Sequence, residues 1–330
     1  MSILTSLRNT TAILFRLFIT SLFLVTFAHA QKWPDKPVRM ILAYPAGGNS
    51  DVAARILAPR LQEIFGQTFL VENKPGAGGM IAGELVAKAP ADGHTLFFTA
   101  NAPILFSPMV YGRMPYIWHR DFVAVAPVSY TPLALVTHPS VQAKTVAELI
   151  GLAKARPNQL MMACSGVAST NHLLSELLQM ASGASWETIQ YKGNAPASTD
   201  LLGGQVQFAF EQVSVSLPHV RSGKLRALAV ATAKRVRTMP DVPTFAEAGY
   251  EGIEGETFTA LFAPAGTSRE VVMRLSTAIT TVLQDKVVIE KFAALGAEAR
   301  SSTPEEFTEY LRREDAKWTP VIKRANIRAE

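Results

Sequence analysis

Between Val38 and Ala229, short apolar runs alternate with segments of helical spacing. Each strand in such a chain needs a helix face packed over it, so the alternation predicts a layered α/β architecture with parallel sheets. Strands are expected over 38–44, 68–71, 95–99, 133–137, 160–163, 187–191, 206–210 and 225–229. Helices are expected over 51–65, 79–88, 146–155, 170–181, 195–202 and 214–221. Pro59 predicts a kink in the first of them, because it removes a hydrogen bond and clashes with the preceding turn. A Pro- and Gly-rich stretch, 240–267, interrupts the alternation, after which 269–295 and 304–325 read as two or more terminal helices. The extended segment 122–137 is expected to cross from a first lobe to a second, and 251–263 to return. On this reading 31–128 with 252–330 form lobe 1, and 129–251 form lobe 2.

The most informative turn is Pro45-Ala46-Gly47-Gly48-Asn49-Ser50-Asp51, which connects the first strand to the first helix. The first N–H groups of a helix have no internal partner, the dipole end is positive, and glycines let a ligand approach the main chain. An anion site is one reading. The other is that Gly47 and Gly48 turn the chain while Ser50 or Asp51 caps the helix.

Residues 1–30 carry Arg8 and Arg16, no acidic residue, an apolar run over 17–27, and Ala28-His29-Ala30 before Gln31. That is the pattern of a secretory signal peptide, too short to be a membrane span. It predicts an exported chain that begins at Gln31. The formal charge of the whole chain is +5, and the basic residues are scattered without interleaved aromatics, so a nucleic-acid partner is not expected. Cys164 is the only cysteine; no intramolecular disulfide is possible, and a hydrophobic core must hold the exported fold.

Catalytic patterns fail on spacing. Cys164-Ser165-Gly166 lacks the glycines of a nucleophile elbow, since Ala163 and Val167 stand in their places, and no orienting acid accompanies Ser165 and His172. The histidines are dispersed, so no metal is expected. Gly76, Gly78, Gly79 and Gly83 miss the dinucleotide spacing because Ile81 occupies a required glycine position, and no phosphate-loop triplet occurs. No cofactor is expected. The loops instead supply uncharged polar groups: Asn49 and Ser50; Thr99 and Asn101; Ser165, Ser169, Thr170 and Asn171; Tyr191 and Asn194. Such groups suit reversible capture of a small carboxylate in a closing cleft. Taken singly, Ser169 or Thr170 reads equally as a helix cap, and His172 as a packing residue.

Several segments carry a family resemblance: 44–51 (YPAGGNSD), 72–79 (ENKPGAGG), 191–197 (YKGNAPA), 200–206 (DLLGGQV), 223–230 (GKLRALAV), 240–244 (PDVPT) with Glu247-Ala248-Gly249, and 263–267 (APAGT). In this order over the mature chain they resemble the Bug family of periplasmic solute-binding receptors, the extracytoplasmic subunits of tripartite tricarboxylate transporters. The resemblance implies a type II periplasmic-binding-protein fold, two α/β lobes around a ligand cleft. It implies a monomer whose small organic acid ligand is passed to membrane subunits, without catalysis. Carried over by motif, Tyr44, Ala46, Gly47, Gly48, Asn49 and Asp51 form one wall, with Ala100 and Asn101 beside it. Ser165, Gly166, Ala168, Ser169, Thr170 and His172 form the opposite wall with Tyr191, Lys192, Gly193 and Ala195.

The chain departs from the family pattern at Glu211, where an Asp is usual, and at Phe258, where a Trp is common; both are expected at the pocket. The second-lobe loop, usually Gly-rich, reads Ser165-Gly166-Val167-Ala168-Ser169-Thr170. A sensor feeding a signalling partner, or a two-lobed transferase, are the other functions this architecture accommodates.

Overall fold

A computed structural model describes residues 33–111, 115–191 and 193–328. The expected signal peptide and the Gln31 start lie outside the described residues. The body spans Lys36–Glu330. Its strands in chain order are β1 (Val38–Leu42), β2 (Phe69–Asn73), β3 (Thr95–Ala100), β4 (Phe122–Thr137), β5 (Met161–Cys164), β6 (Glu187–Gln190), β7 (Phe208–Gln212), β8 (Arg226–Val230), β9 (Glu256–Pro264) and β10 (Glu298–Ala299). Helices of two turns or more are α1 (Asn49–Phe65), α2 (Met80–Ala87), α3 (Val146–Ala155), α4 (Thr170–Ser182), α5 (Asn194–Leu202), α6 (Val213–Arg221), α7 (Arg269–Leu283), α8 (Lys286–Ala294) and α9 (Pro304–Arg324).

The strands run β2-β1-β3-β9-β4-β7-β5-β6, with β8 and β10 also paired to β4. β1, β2 and β3 are parallel, as are β5, β6 and β7. The parallel expectation fails at β4, β8, β9 and β10, which pair antiparallel. The reason is β4. Its 16 residues form a single apolar strand; the first part pairs with β9, and the part from Leu133 to Thr137 pairs with β7 and β8. Proline has no N–H to give a ladder, and a register shift against β9 falls between Pro127 and Ser129. The expected crossing over 122–137 is therefore a strand shared by the two halves of the fold.

β9 occupies most of the stretch expected to be only a return crossing, 251–263. Local Pro and Gly hide it, yet its last seven residues are all buried. Residues buried on both faces form continuous apolar runs rather than alternating ones, and β3 is likewise buried throughout. Beneath β4 and β9 lies an aromatic cluster in which Phe258 meets Phe307 edge-on at 5.5 Å and Tyr130 at 6.4 Å between ring centroids. Helix α9, which supplies Phe307, starts with a Thr303–Glu306 capping box, a device that satisfies two orphan N–H groups at once. Helix α1 runs without a break through Pro59. The carboxyl ends of β1, β3, β5, β6 and β7 carry the loops that build the site, as open α/β sheets require.

Candidate functional site

β1 delivers Tyr44 and then the turn 45–48 onto α1. The left-handed residue of this turn is Gly47 (φ +85°); Gly48 is extended (φ −78°) and caps α1 with no side chain. Asp51 reaches back and braces the turn. Its carboxylate accepts from the Gly47 N–H at 2.9 Å, from Arg55 Nε at 2.9 Å and from Asn73 Nδ2 at 3.0 Å. The Arg55 bond, with the Gly47 and Asn73 donors behind it, pulls the Asp51 carboxyl down to about 2 despite its burial. Tyr44 is half-buried, and burial pushes its phenol up, so it stays protonated.

At the end of β3, Asn101 is buried and its amide bridges to β9, donating to the Glu256 carbonyl at 3.0 Å and accepting from the Phe258 N–H at 2.8 Å. This bridge fixes Thr257 between them. Strand alternation then sends Thr257 to the cavity and Phe258 into the aromatic cluster.

On the other side β5 ends at Cys164. In the following loop Ser165 Oγ donates to Asn171 Oδ1 at 2.9 Å, and Ser169 Oγ donates to the Gly166 carbonyl at 2.6 Å. Ser169 is the N-cap of α4 but makes no side-chain cap; the His172 N–H donates to Asn171 Oδ1 at 3.2 Å, which leaves the Thr170 and Asn171 N–H groups to the space in front of the helix. Behind this loop His172 Nδ1 accepts from the Ala168 N–H at 3.2 Å. That places the ring proton on Nε2, 3.8 Å from Glu176, and burial lowers the imidazole to about 4. The Gly193 N–H (φ +110°) donates to the Ser165 carbonyl at 3.0 Å, joining the loop to the start of α5.

These elements enclose a cavity of about 240 Å³. The first half contributes Tyr44, Ala100, Asn101, Ala102 and Thr257; the second contributes Ser165, Ser169, Thr170, Asn171 and Asn194, with Leu133, Phe210 and Gln212. No charged side chain lines it among the described residues. Among the described residues, Asn49 Nδ2 donates to Gln212 Oε1 at 2.7 Å beside the cavity, and Thr257 Oγ1 donates to Thr170 Oγ1 at 3.3 Å between its two sides.

Of the residues expected from sequence, Tyr44, Ala100, Asn101, Ser165, Ser169, Thr170, Asn171 and Asn194 line this cavity. Gly47, Asp51, Gly166, Ala168, His172 and Gly193 stand behind them, holding the loops in shape. Ala46 and Gly48 are exposed in the turn, and Asn49 reaches Gln212. Ala195 is exposed with its carbonyl accepting from Thr199, and the Tyr191 hydroxyl donates to Asp200 at 2.7 Å. Lys192 lies outside the described residues.

Glu211 and Phe258 are off the cavity. Glu211 points to the opposite face of β7 from Phe210 and Gln212, where Ser198 Oγ donates to Oε1 at 3.1 Å and Oε2 is buried without a partner. Burial there raises its carboxyl to about 7. Ala102, Leu133, Phe210, Gln212 and Thr257 were not singled out from the sequence. The period-2 rule applied along β7 reaches Phe210 and Gln212 once the strand end is placed two residues later, and Thr257 requires recognising β9.

Comparison with known proteins agrees with this architecture. Residues 53–327 match the tripartite tricarboxylate transporter family receptor. The protein BugT of Bordetella pertussis is 38% identical over 308 residues, 93% of this chain and 94% of that protein. The solved structure of R. palustris Rpa4515 with adipate is 35% identical with a TM-score of 0.79, covering 90% of this chain and 99% of that one. MatC of Rhodopseudomonas palustris with bound malate is 28% identical with a TM-score of 0.76, covering 88% and 100%. With a two-lobed fold shared over nearly its whole length, this chain belongs to the tripartite tricarboxylate transporter receptor family, whose members are solute-binding receptors.

Proposed function

We propose that this receptor works in the periplasm, captures a small organic acid in the cavity between its two halves, and presents it to the membrane subunits of a tripartite transporter without altering it. The observation that carries the reading is the lining: side-chain amides, the Thr170 hydroxyl and the first two N–H groups of α4, with no charged side chain among the described residues. Fixed donors of this kind hold a carboxylate and still release it. A cavity of about 240 Å³ lies below the 300–1,000 Å³ usual for drug-sized ligands, which points to a small acid. Two family members have been solved with adipate and with malate.

The nucleophile candidates are committed elsewhere, which supports binding without chemistry. Ser165 donates to Asn171, the Cys164 thiol is buried and pushed up by that burial, and His172 turns Nδ1 to its own loop. We also propose 31–128 with 252–330 and 129–251 as the lobes that close on the ligand, with the chain acting as a monomer. Mass spectrometry of the molecule that co-purifies with protein from the native periplasm tests the reading. A small organic acid released unchanged is the expected result; a sugar, a cation or a covalently altered species contradicts it.

A further inference from the structure

Gln212 is the last residue of β7 and lines the cavity beside Phe210, while its backbone carbonyl accepts from Ser216 and anchors the start of α6. Its side-chain carbonyl is taken by Asn49 Nδ2 at 2.7 Å from across the cleft, and Asn49 itself does not line the cavity. A primary amide has an acceptor end and a donor end. With Oε1 held by Asn49, the end that Gln212 can offer inward is its N–H₂. We propose that Gln212 is a specificity-determining donor to a ligand carboxylate, and that Asn49 is the positioning residue that turns the donor end of that amide inward as the cleft closes. The proposal rests on the carboxylate reading above.

The polarity of the pair makes it testable. Asp at position 49 can only accept, so it would pair with Gln212 Nε2 and turn Oε1 toward the ligand. If Asn49 orients the amide, Asp is worse than Ala, and the loss vanishes once the amide is removed; a loss that comes only from the added negative charge persists without it.

The experiment is titration calorimetry at pH 8 with malate, adipate and longer and shorter dicarboxylates, on wild type, Gln212→Glu, Gln212→Ala, Asn49→Ala and Asn49→Asp. Melting of the ligand-free proteins checks that each variant is folded. Gln212→Glu replaces a donor to a charged group with a like charge and should weaken affinity by roughly a hundredfold or more. Asn49→Ala should lose roughly threefold and Asn49→Asp roughly tenfold. In a Gln212→Ala background Asn49→Asp should have no further effect, because the amide it would turn is gone; an undiminished loss there is charge repulsion and overturns the positioning role.

Wild-type affinity in Gln212→Glu overturns the donor role. Asn49→Asp binding as well as or better than Asn49→Ala overturns the positioning role, and in both cases the receptor reading stands. If wild type binds no dicarboxylate on the panel, the carboxylate reading and this proposal fall together.

Discussion

The two walls of the cavity are built on one plan, a strand that ends in a loop and feeds a helix, but they are braced in opposite ways. The loop 45–48 is exposed and held by an ionised carboxylate, Asp51, with Arg55 as its cation. The loop 165–169 is held by neutral groups: hydroxyls, the Asn171 amide and an uncharged His172. The titrations diverge accordingly. Asp51 is pulled down by its donors, whereas in the second half burial lowers His172 and raises Glu211 and Glu176. A wall that touches an anion gains by keeping ionised carboxylates away from it. The wall that supplies the larger share of polar lining is the one with a neutral brace.

The largest effect that separates the walls is hidden in the wild-type protein. Glu211 titrates near 7 instead of its ordinary 4.5, so the folded state holds a proton that the unfolded chain has lost, and stability falls as pH rises through that window. His172 titrates near 4 instead of 6.5, so the unfolded chain binds the extra proton and stability rises with pH over 4 to 6.5. Each spans up to about 3 kcal/mol at 1.36 kcal/mol per unit, and the two oppose. Glu211→Gln should therefore unmask stability that climbs from pH 4 to 6.5, while His172→Gln should unmask stability that declines from pH 4.5 to 7, with Glu176 adding in the same sense. Urea midpoints across pH 4–8 check this, and flat curves in both variants would remove the neutral brace from the comparison.

Ser169→Ala with Thr170→Ala removes from the second wall the Thr170 hydroxyl, which accepts from Thr257 and keeps its own proton for the ligand, and the Ser169 hydroxyl that braces the loop by donating to Gly166. Each hydrogen bond to a charged ligand contributes about 1.5–3 kcal/mol, so loss of one should weaken affinity by roughly one to two decades. Calorimetry with the co-purified acid reads this, with melting as the control for folding.

Asp51 sets the next effect, confined to acid. Its carboxyl lies below the unfolded value, so the stability it gives is complete above pH 3.8 and is lost as pH falls toward 2. Arg55 is 54% exposed, and solvent screening reduces the contribution to about 1–2 kcal/mol. Asp51→Asn should flatten this acid limb while leaving the window between pH 5 and 7 unchanged, as acid unfolding followed by circular dichroism will show.

The smallest effects lie in the turn itself. Gly47→Ala meets a φ of +85° and should cost about 1 kcal/mol. Gly48→Ala places a Cβ in ordinary contact with the Pro45 carbonyl at 3.6 Å with φ at −78°, and should change stability by no more than about 0.5 kcal/mol and leave affinity alone. A large affinity loss in Gly48→Ala would mean that the ligand sits against the first turn.

Periodicity made the helices and most strands legible, because each local run buries a face of its own. It could not show β9, whose residues are buried on both sides and follow a Pro- and Gly-rich stretch, nor the antiparallel pairing of β4, which is a long-range choice. Among the candidate residues, loop chemistry found Ser165, Ser169, Thr170 and Asn101, since polar groups at strand ends and helix starts announce themselves. It missed Gln212 because an error of two residues in a strand end changes which side chains are assigned to its final turn. Phe258 and Glu211 were expected at the pocket from the family pattern, whereas strand alternation turns both away from it.

Titration calorimetry of ligand-free receptor with malate and adipate, set against the corresponding diamides, tests the central claim most directly. If uncharged donors and the start of α4 recognise a carboxylate, at least one of the acids binds and its diamide is weaker by roughly a decade or more. Equal binding of acid and diamide would contradict that recognition, and binding of neither acid would show that the cavity serves another class of ligand.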